Sequence, residues 1–159
     1  MTIRLAQPHS KEHWSEARRL IEEYAASLEL DLAFQNLAHE LENLAGEYGP
    51  PTGAFLLAAD EGGHMGHVGC VGVRRLSDGV GEIKRLYVVP AARGRGVGRL
   101  LAEAIVAEAR QLGYARVLLD TLPSMKEGLS LYRSLGFKPT AAYRFNPVQG
   151  TAYLELALR

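Results

Sequence analysis

Between Arg85 and Leu101 the chain reads RLYVVPAARGRGVGRLL, a run with three glycines and four arginines. No acidic residue lies between Glu82 and Glu103. Immediately afterwards Val97, Leu100, Leu101, Ala104, Ile105 and Leu112 recur at helical spacing, which predicts a helix beginning near Gly96. The first turn of a helix presents backbone N–H groups without intrahelical partners, together with the positive end of its dipole. Gly94, Gly96 and Gly98 let an anion approach that backbone without interference from Cβ atoms. Arg93, Arg95 and Arg99 add positive charge. The chemistry on offer is a cradle for a pyrophosphate. The plainer reading of the same residues is a strand-to-helix turn with a solvated basic surface.

Spacing separates this run from two common nucleotide loops. GRGVG is G-x-G-x-G and misses the dinucleotide fingerprint G-x-G-x-x-G. It also lacks the lysine and hydroxyl of the phosphate loop G-x-x-x-x-G-K-[ST]. No βαβ unit opens the chain, where a dinucleotide fold would place its site. A second cluster, His64, Met65, His67 and Cys70, suggests a metal. Strand alternation sends His64 and His67 to opposite faces, no fourth ligand is evident, and no metal is expected.

The elements that must position the turn follow from periodicity. TIRLA alternates as a strand, Ser10 caps a helix carrying Trp14, Ala17, Leu20, Ile21 and Tyr24, and a second helical pattern runs through Leu37, Leu41 and Leu44. GAFLLAAD, GHVGCVGVRRL and DGVGEIKRLYVVP form a three-strand meander. After the helix from Gly96, with Gly113 at its C-cap, ARVLLDT reads as a strand buried on both faces. Pro123 fits the first turn of a helix carrying Leu129, Leu131 and Leu135, and FKPTAAYRF and TAYLELAL close the chain as strands. The predicted order is β-α-α-β-β-β-α-β-α-β-β, a mixed α/β single domain with one sheet and helices packed on it. With 159 residues, 18 basic against 18 acidic side chains and one cysteine, no general affinity for nucleic acid or membrane is expected. The N-terminus lacks the apolar core of a signal peptide, and a cytoplasmic location is expected.

VVPAARGRGVGRLL resembles motif A of the GNAT superfamily of acyl-CoA-dependent N-acyltransferases, signature [QR]-x-x-G-x-[GA], with Arg93, Gly96 and Gly98 at its defined positions. RLYVVP resembles the family's splayed strand, and LYRSLGF, Leu131 to Phe137, its motif B region. The element order agrees too, so the resemblance spans nearly the whole chain and implies a GNAT-like domain over residues 1–159 with a splayed central sheet. It further implies acetyl-CoA as acyl donor and direct transfer, in a ternary complex, to a primary amine. A small molecule or amino acid is favoured over a protein as acceptor, and dimerisation is common in the family. The alternative is a non-catalytic module that senses CoA.

The resemblance also assigns roles. Backbone amides of Gly94, Arg95, Gly96, Val97, Gly98 and Arg99 would hold the CoA pyrophosphate, with Arg93 completing the motif. Leu86, Tyr87 and Val88 would pair with pantetheine, the Leu86 N–H polarising the thioester carbonyl. Tyr132 falls at the family's general acid, able to protonate the departing thiolate; otherwise it is a helix tyrosine packed on the core. An alkyl amine is neutral in only about one part in a thousand at pH 7, so a base or water chain is needed. Glu82 is placed for it, acting through water; otherwise it pairs at the surface with Lys84, Arg74 or Arg75. Glu82, Lys84 and Leu86 share one face provided no bulge intervenes. Asp120 and Thr121 are expected on the cofactor side, and Tyr48 and Asn146 near the acceptor. Lys84, Arg74 and Arg75 hint at an acceptor with a carboxylate.

Overall fold

The computed structural model describes residues 2–28 and 36–159. Strand β1 (Thr2–Ala6) leads to helix α1 (Lys11–Ser27), whose first turn is capped by Ser10 accepting from the His13 N–H at 3.1 Å. Short helices α2 (Leu37–Glu42) and α3 (Leu44–Tyr48) follow. The meander is β2 (Ala54–Glu61), β3 (His67–Ser77) and β4 (Val80–Val88). A 3-10 turn at Pro90–Ala92 precedes α4 (Val97–Gln111), then come β5 (Arg116–Thr121), α5 (Lys126–Ser134), β6 (Lys138–Pro139) and β7 (Ala152–Ala157).

The seven strands lie in the order β1-β2-β3-β4-β5-β7-β6. All neighbours are antiparallel except β4 and β5, which run parallel. That one parallel pair holds only from Val80↔Arg116 to Glu82↔Leu118. Beyond it the strands part, the splay expected from the resemblance. One apolar layer joins the sheet to α4 through Val71, Val73, Ile83, Leu101, Ile105 and Leu119. The other joins it to α1 and α3 through Leu20, Ile21, Tyr48, Phe55, Leu57 and Tyr87.

Three expectations are corrected. The helical pattern through Leu37, Leu41 and Leu44 is two helices, because Asn43 at φ −136° and ψ 42° leaves the helical region between them. Of FKPTAAYRF only Lys138–Pro139 forms a strand, and the chain then runs irregularly to β7. Pro123 sits in a turn closed by the Met125 N–H on the Leu122 carbonyl, so α5 begins only at Lys126.

A fourth correction concerns the face of β4. Its register on β3 passes from Gly72↔Lys84 to Cys70↔Tyr87, so Val71 alone opposes Arg85 and Leu86. This is a β-bulge, and Arg85 takes φ +64°, in the left-handed region. Cross-strand partners share a face, and the pairs Arg74↔Glu82, Gly72↔Lys84 and Cys70↔Tyr87 place Glu82, Lys84 and Tyr87 on the α1–α3 side. Leu86 and Val88 pack on the α4 side instead. Glu82 and Lys84 therefore share a face, but Leu86 does not join them.

A left-handed conformation costs a non-glycine residue about 1–2 kcal/mol. Glu40 offsets it. Its carboxylate accepts from Arg85 Nε and Nη2 at 2.8 Å each, and from the Tyr48 hydroxyl at 3.0 Å, all buried. Removing one partner of such a buried pair strands the other charge. Glu40→Ala is expected to lower stability by about 3–5 kcal/mol, read from the urea midpoint.

Candidate active site

Where β4 leaves β5, the sheet opens and two adjoining cavities form. An outer groove of about 670 Å³ runs past the end of β4, the Arg93–Gly98 turn and the start of α5. An inner cavity of about 80 Å³ lies between the ends of β4 and β5. Tyr24, Leu28, Leu86, Met125 and Gly128 line both, so the two adjoin at that wall.

The outer groove gathers Leu86, Tyr87 and Val88 with Arg93, Gly94, Gly96, Val97 and Gly98. The turn meets them because Gly94 and Gly96 take φ +78° and +81°, which L side chains disfavour. A Cβ built on either meets no atom within 4 Å, so the backbone is open to a ligand. Helix α4 carries no side-chain cap at Gly96. Its first N–H groups thus face the turn with only backbone around them. Arg93 is pinned by donating from Nε to the Val88 carbonyl at 2.9 Å, and its guanidinium stands over the Tyr87 ring. Arg95 is exposed and outside the groove. Arg99 faces an adjacent hollow, bonded to Ser134 and 3.5 Å from Glu103.

The inner cavity has Tyr132 and Leu119 on its α5 and β5 walls, and Lys84, Asp120, Thr121 and Asn146 among its polar lining. Asn146 Nδ2 is 3.5 Å from Asp120 Oδ2. Burial pushes the Tyr132 hydroxyl well above the ordinary phenol value, with Tyr24 adding to it. The proton therefore stays on Tyr132 in the resting site. Lys84 moves the other way. Burial, then the neighbouring Arg85, pulls its ammonium down to about 7, against the opposing pull of Glu82.

Glu82 is fully buried beside the inner cavity without lining it. Its oxygens accept from Arg74 Nε at 3.3 Å and the Tyr143 hydroxyl at 2.7 Å, and form an ion pair with Arg144, whose Nη2 lies at 2.5 Å. Burial alone would raise its carboxyl, but Lys84, Arg144, Tyr143 and Arg74 together hold it below the ordinary value. The expected surface pairing is therefore a buried one, and Arg75 takes no part, pairing with Asp78 at the surface. Arg74 is likewise committed to Glu47 and Glu82, so neither arginine is offered to the cleft. Tyr48 lies in the core against Glu40, away from both cavities.

A model of the acetyltransferase (GNAT) family matches residues 14–137. The chain belongs to the GNAT acetyltransferase family. An uncharacterized N-acetyltransferase of Schizosaccharomyces pombe is 41% identical over 142 residues, covering 89% of this chain and 86% of that protein. An IAA acetyltransferase of Azospirillum brasilense is 38% identical over 120 residues, 75% of this chain and 74% of the relative. Among solved structures, a GNAT-family acetyltransferase of Staphylococcus aureus shares the fold with a TM-score of 0.80 at 19% identity, over 99% of this chain and 100% of that one. A phosphinothricin acetyltransferase of Sinorhizobium meliloti, solved in complex with acetyl-CoA, gives 0.68 at 20% identity over 99% and 89%. This GNAT chain is an acyl-CoA-dependent N-acetyltransferase.

Among the described residues no group of His, Cys, Asp or Glu can hold a metal, and no helix is long and apolar enough to cross a membrane. His67 instead bonds Glu16 at 3.2 Å, and Cys70 is buried with its thiol pushed well up. Three residues escaped the sequence reading. Tyr24 lines both cavities, yet in sequence it is one more apolar position of α1. Arg144 and its neighbour Tyr143 reach Glu82 from an irregular segment that carries no motif.

The Glu82 cluster sets an acid limb of stability. Its folded pKa lies below the unfolded carboxyl value of about 4.3. The contribution is therefore present above that pH and lost as pH falls through the folded pKa. Glu82→Gln is expected to cost about 3 kcal/mol at pH 7. It should also flatten the loss of the urea midpoint between pH 5 and pH 3, to roughly the remaining carboxylates' share.

Proposed function

We propose that the protein transfers an acetyl group from acetyl-CoA to the primary amine of a small acceptor, with both substrates bound together in the adjoining cavities. The observation that carries this is their meeting at Leu86, with Tyr132 on the inner wall. The outer groove suits acetyl-CoA. Its uncapped helix N-terminus and open Gly94–Gly96 backbone answer a pyrophosphate, and the free edge of β4 answers an extended amide chain. Bound there, acetyl-CoA supplies an activated acyl thioester.

In this reading Gly94, Arg95, Gly96, Val97, Gly98 and Arg99 serve through backbone N–H groups, and Arg93 braces the turn against Val88. Arg95 and Arg99 need no side chain in the groove for that. Leu86, Tyr87 and Val88 offer the strand edge, and the Leu86 N–H donates to the acyl carbonyl oxygen where negative charge develops. The Tyr132 hydroxyl gives its proton to the departing sulfur. Its raised pKa ensures that the proton is there to give.

Glu82 enters as a positioning residue rather than a direct base. Two hydrogen-bond donors and the ion-paired Arg144 already engage its oxygens and hold its pKa low, which weakens it as a proton acceptor. It keeps Arg144 and Tyr143 in place and puts negative charge behind Lys84. The carboxylate that faces the inner cavity is Asp120.

Two variants test the reading. Tyr132→Phe is expected to lower turnover about 100-fold while leaving the calorimetric Kd of acetyl-CoA unchanged; full turnover would remove Tyr132 from the chemistry. Gly98 has no positive φ, and a Cβ there meets nothing closer than Leu131 at 3.8 Å. Gly98→Ala should therefore gain up to about 0.5–1 kcal/mol of stability, while its methyl obstructs the cradle and weakens acetyl-CoA by about tenfold or more. Unchanged affinity would move the pyrophosphate elsewhere.

A further inference from the structure

The end of β5 holds a carboxylate with no part in the steps assigned to Leu86 and Tyr132. Val117 and Leu119 enter the apolar layer against α4. Alternation turns Leu118 and Asp120 to the other face, which Glu82 shares through its pairing with Leu118. Glu82↔Leu118 is the last pair before β4 and β5 part, so Asp120 stands just beyond it, where the sheet is open. Its other flank stays anchored, because Asp120 still pairs with Tyr153 on β7. The result is a half-buried carboxylate on a fixed backbone, in the wall of the inner cavity. Among the described residues it is the one carboxylate in that lining.

An asparagine meets it there. Asn146 lines the same cavity, and its Nδ2 lies 3.5 Å from Asp120 Oδ2. The Val148 N–H donates to Asn146 Oδ1 at 2.9 Å, which turns the amide nitrogen toward Asp120. Val148 is tied in turn, its carbonyl accepting from the Thr151 hydroxyl at 2.7 Å. The turn before β7 therefore carries a held donor to the carboxylate. Tyr132 borders the same space from α5 and Leu86 from β4. At about 80 Å³ that space has room for an amine head group of a few heavy atoms.

We propose that Asp120 is the catalytic base of the transfer, taking the proton of the attacking amine, with Asn146 as its positioning residue. This rests on the acetyl-transfer reading. The amine lone pair attacks the acyl carbon, and the nitrogen turns cationic and acidic as the C–N bond forms. One of its protons passes to the Asp120 carboxylate. The C–S bond breaks with its electron pair on sulfur, which takes the Tyr132 proton. The proton on Asp120 then returns to the Tyr132 oxygen through solvent. Amine and thioester have become amide and thiol, and both side chains end as they began. Asp120 also draws an alkylammonium into the cavity, and its charge acts on Lys84, Tyr24, Tyr143 and Tyr153 around it. Glu82 lies on the same face, but its oxygens are engaged and it does not line the cavity.

Ethylamine and its mono-, di- and trifluoro derivatives test this, because they differ little in size while fluorine lowers the basicity stepwise. Trifluoroethylamine is largely neutral at pH 7 and sheds its proton readily once it attacks; ethylamine does neither. CoA release from acetyl-CoA is measured at pH 7 with each amine, and acetyl-CoA binding by calorimetry. Asp120→Asn is expected to lower kcat about 100-fold with ethylamine but less than about tenfold with trifluoroethylamine. Its Kd for acetyl-CoA should not change. Asn146→Ala should show the same gradient, with a loss of about tenfold for ethylamine. A merely structural defect would lower all the amines equally. Equal losses across the series overturn the proposal, as does full turnover by Asp120→Asn. So does absence of release by the unmodified protein with every one of these amines while acetyl-CoA binds. If Asp120→Asn no longer binds acetyl-CoA, the gradient in Asn146→Ala decides. Failure of the unmodified protein to bind acetyl-CoA sinks the acetyl-transfer reading, and this inference with it.

Discussion

Everything distinctive in the molecule follows from how briefly β4 and β5 pair. Two parallel strands that hydrogen-bond from Val80↔Arg116 to Glu82↔Leu118 and then separate expose one edge of β4 inside the protein. Backbone N–H and C=O groups cannot be left buried and unpaired without cost. The parting therefore persists only if something other than β5 answers them. In the proposed reading that role falls, in the outer groove, to acetyl-CoA lying as an extra strand, and the same separation makes room for the inner cavity. The edge strand, a liability elsewhere, is the binding element in that reading. Around it α1, α5 and the turn before α4 line the groove.

The charges under the opening obey the same constraint. Glu40, Glu82, Lys84 and Arg85 are all buried, which is tolerable only in mutual company. Glu40 and Arg85 form one fork, and Arg74 links Glu82 with Glu47 and stands 3.7 Å from Glu40. Arg144 and Tyr143 close the network from above, and Arg144 Nε is a buried donor with no partner among the described residues. Such networks are weak evidence for stability. Their use is to fix geometry, here the orientation of α2 and of the segment before β7 against the strand that carries the site.

How far the sequence displayed this depends on the device. The glycine–arginine run was legible because positive φ at Gly94 and Gly96 demands glycine, so the requirement is printed in residue type. Ser10 and the α4 boundary were legible for similar reasons, as caps and turns use few residues. The bulge was not. Arg85 at φ +64° bears no local sign of its conformation, because Glu40, 45 residues earlier in the chain, holds it there. Alternation therefore placed Leu86 with Glu82 and Lys84, a one-residue error of phase that moves a side chain through the sheet. Tyr143 and Arg144 escaped because their roles arise from where an irregular segment is laid, which periodicity does not encode.

That phase shift reaches the chemistry. With regular pleating Lys84 and Arg85 would point to opposite faces, and Lys84 would keep Glu82 and Arg144 as neighbours without the Arg85 guanidinium beside it. The bulge sets the two cations on one face, where Glu40 forks Arg85 and Lys84 lines the cavity. After burial itself, Arg85 is the strongest influence lowering Lys84 toward neutrality. The same extra residue turns Leu86 toward the α4 side, so that its strand continues past the groove as an open edge. One inserted residue thus divides β4 between two faces: upstream Glu82 and Lys84 face the α1–α3 side, and downstream Leu86 and Val88 pack on the α4 side. The buried Glu40 fork is what makes the division stable, although Glu40 touches neither cavity.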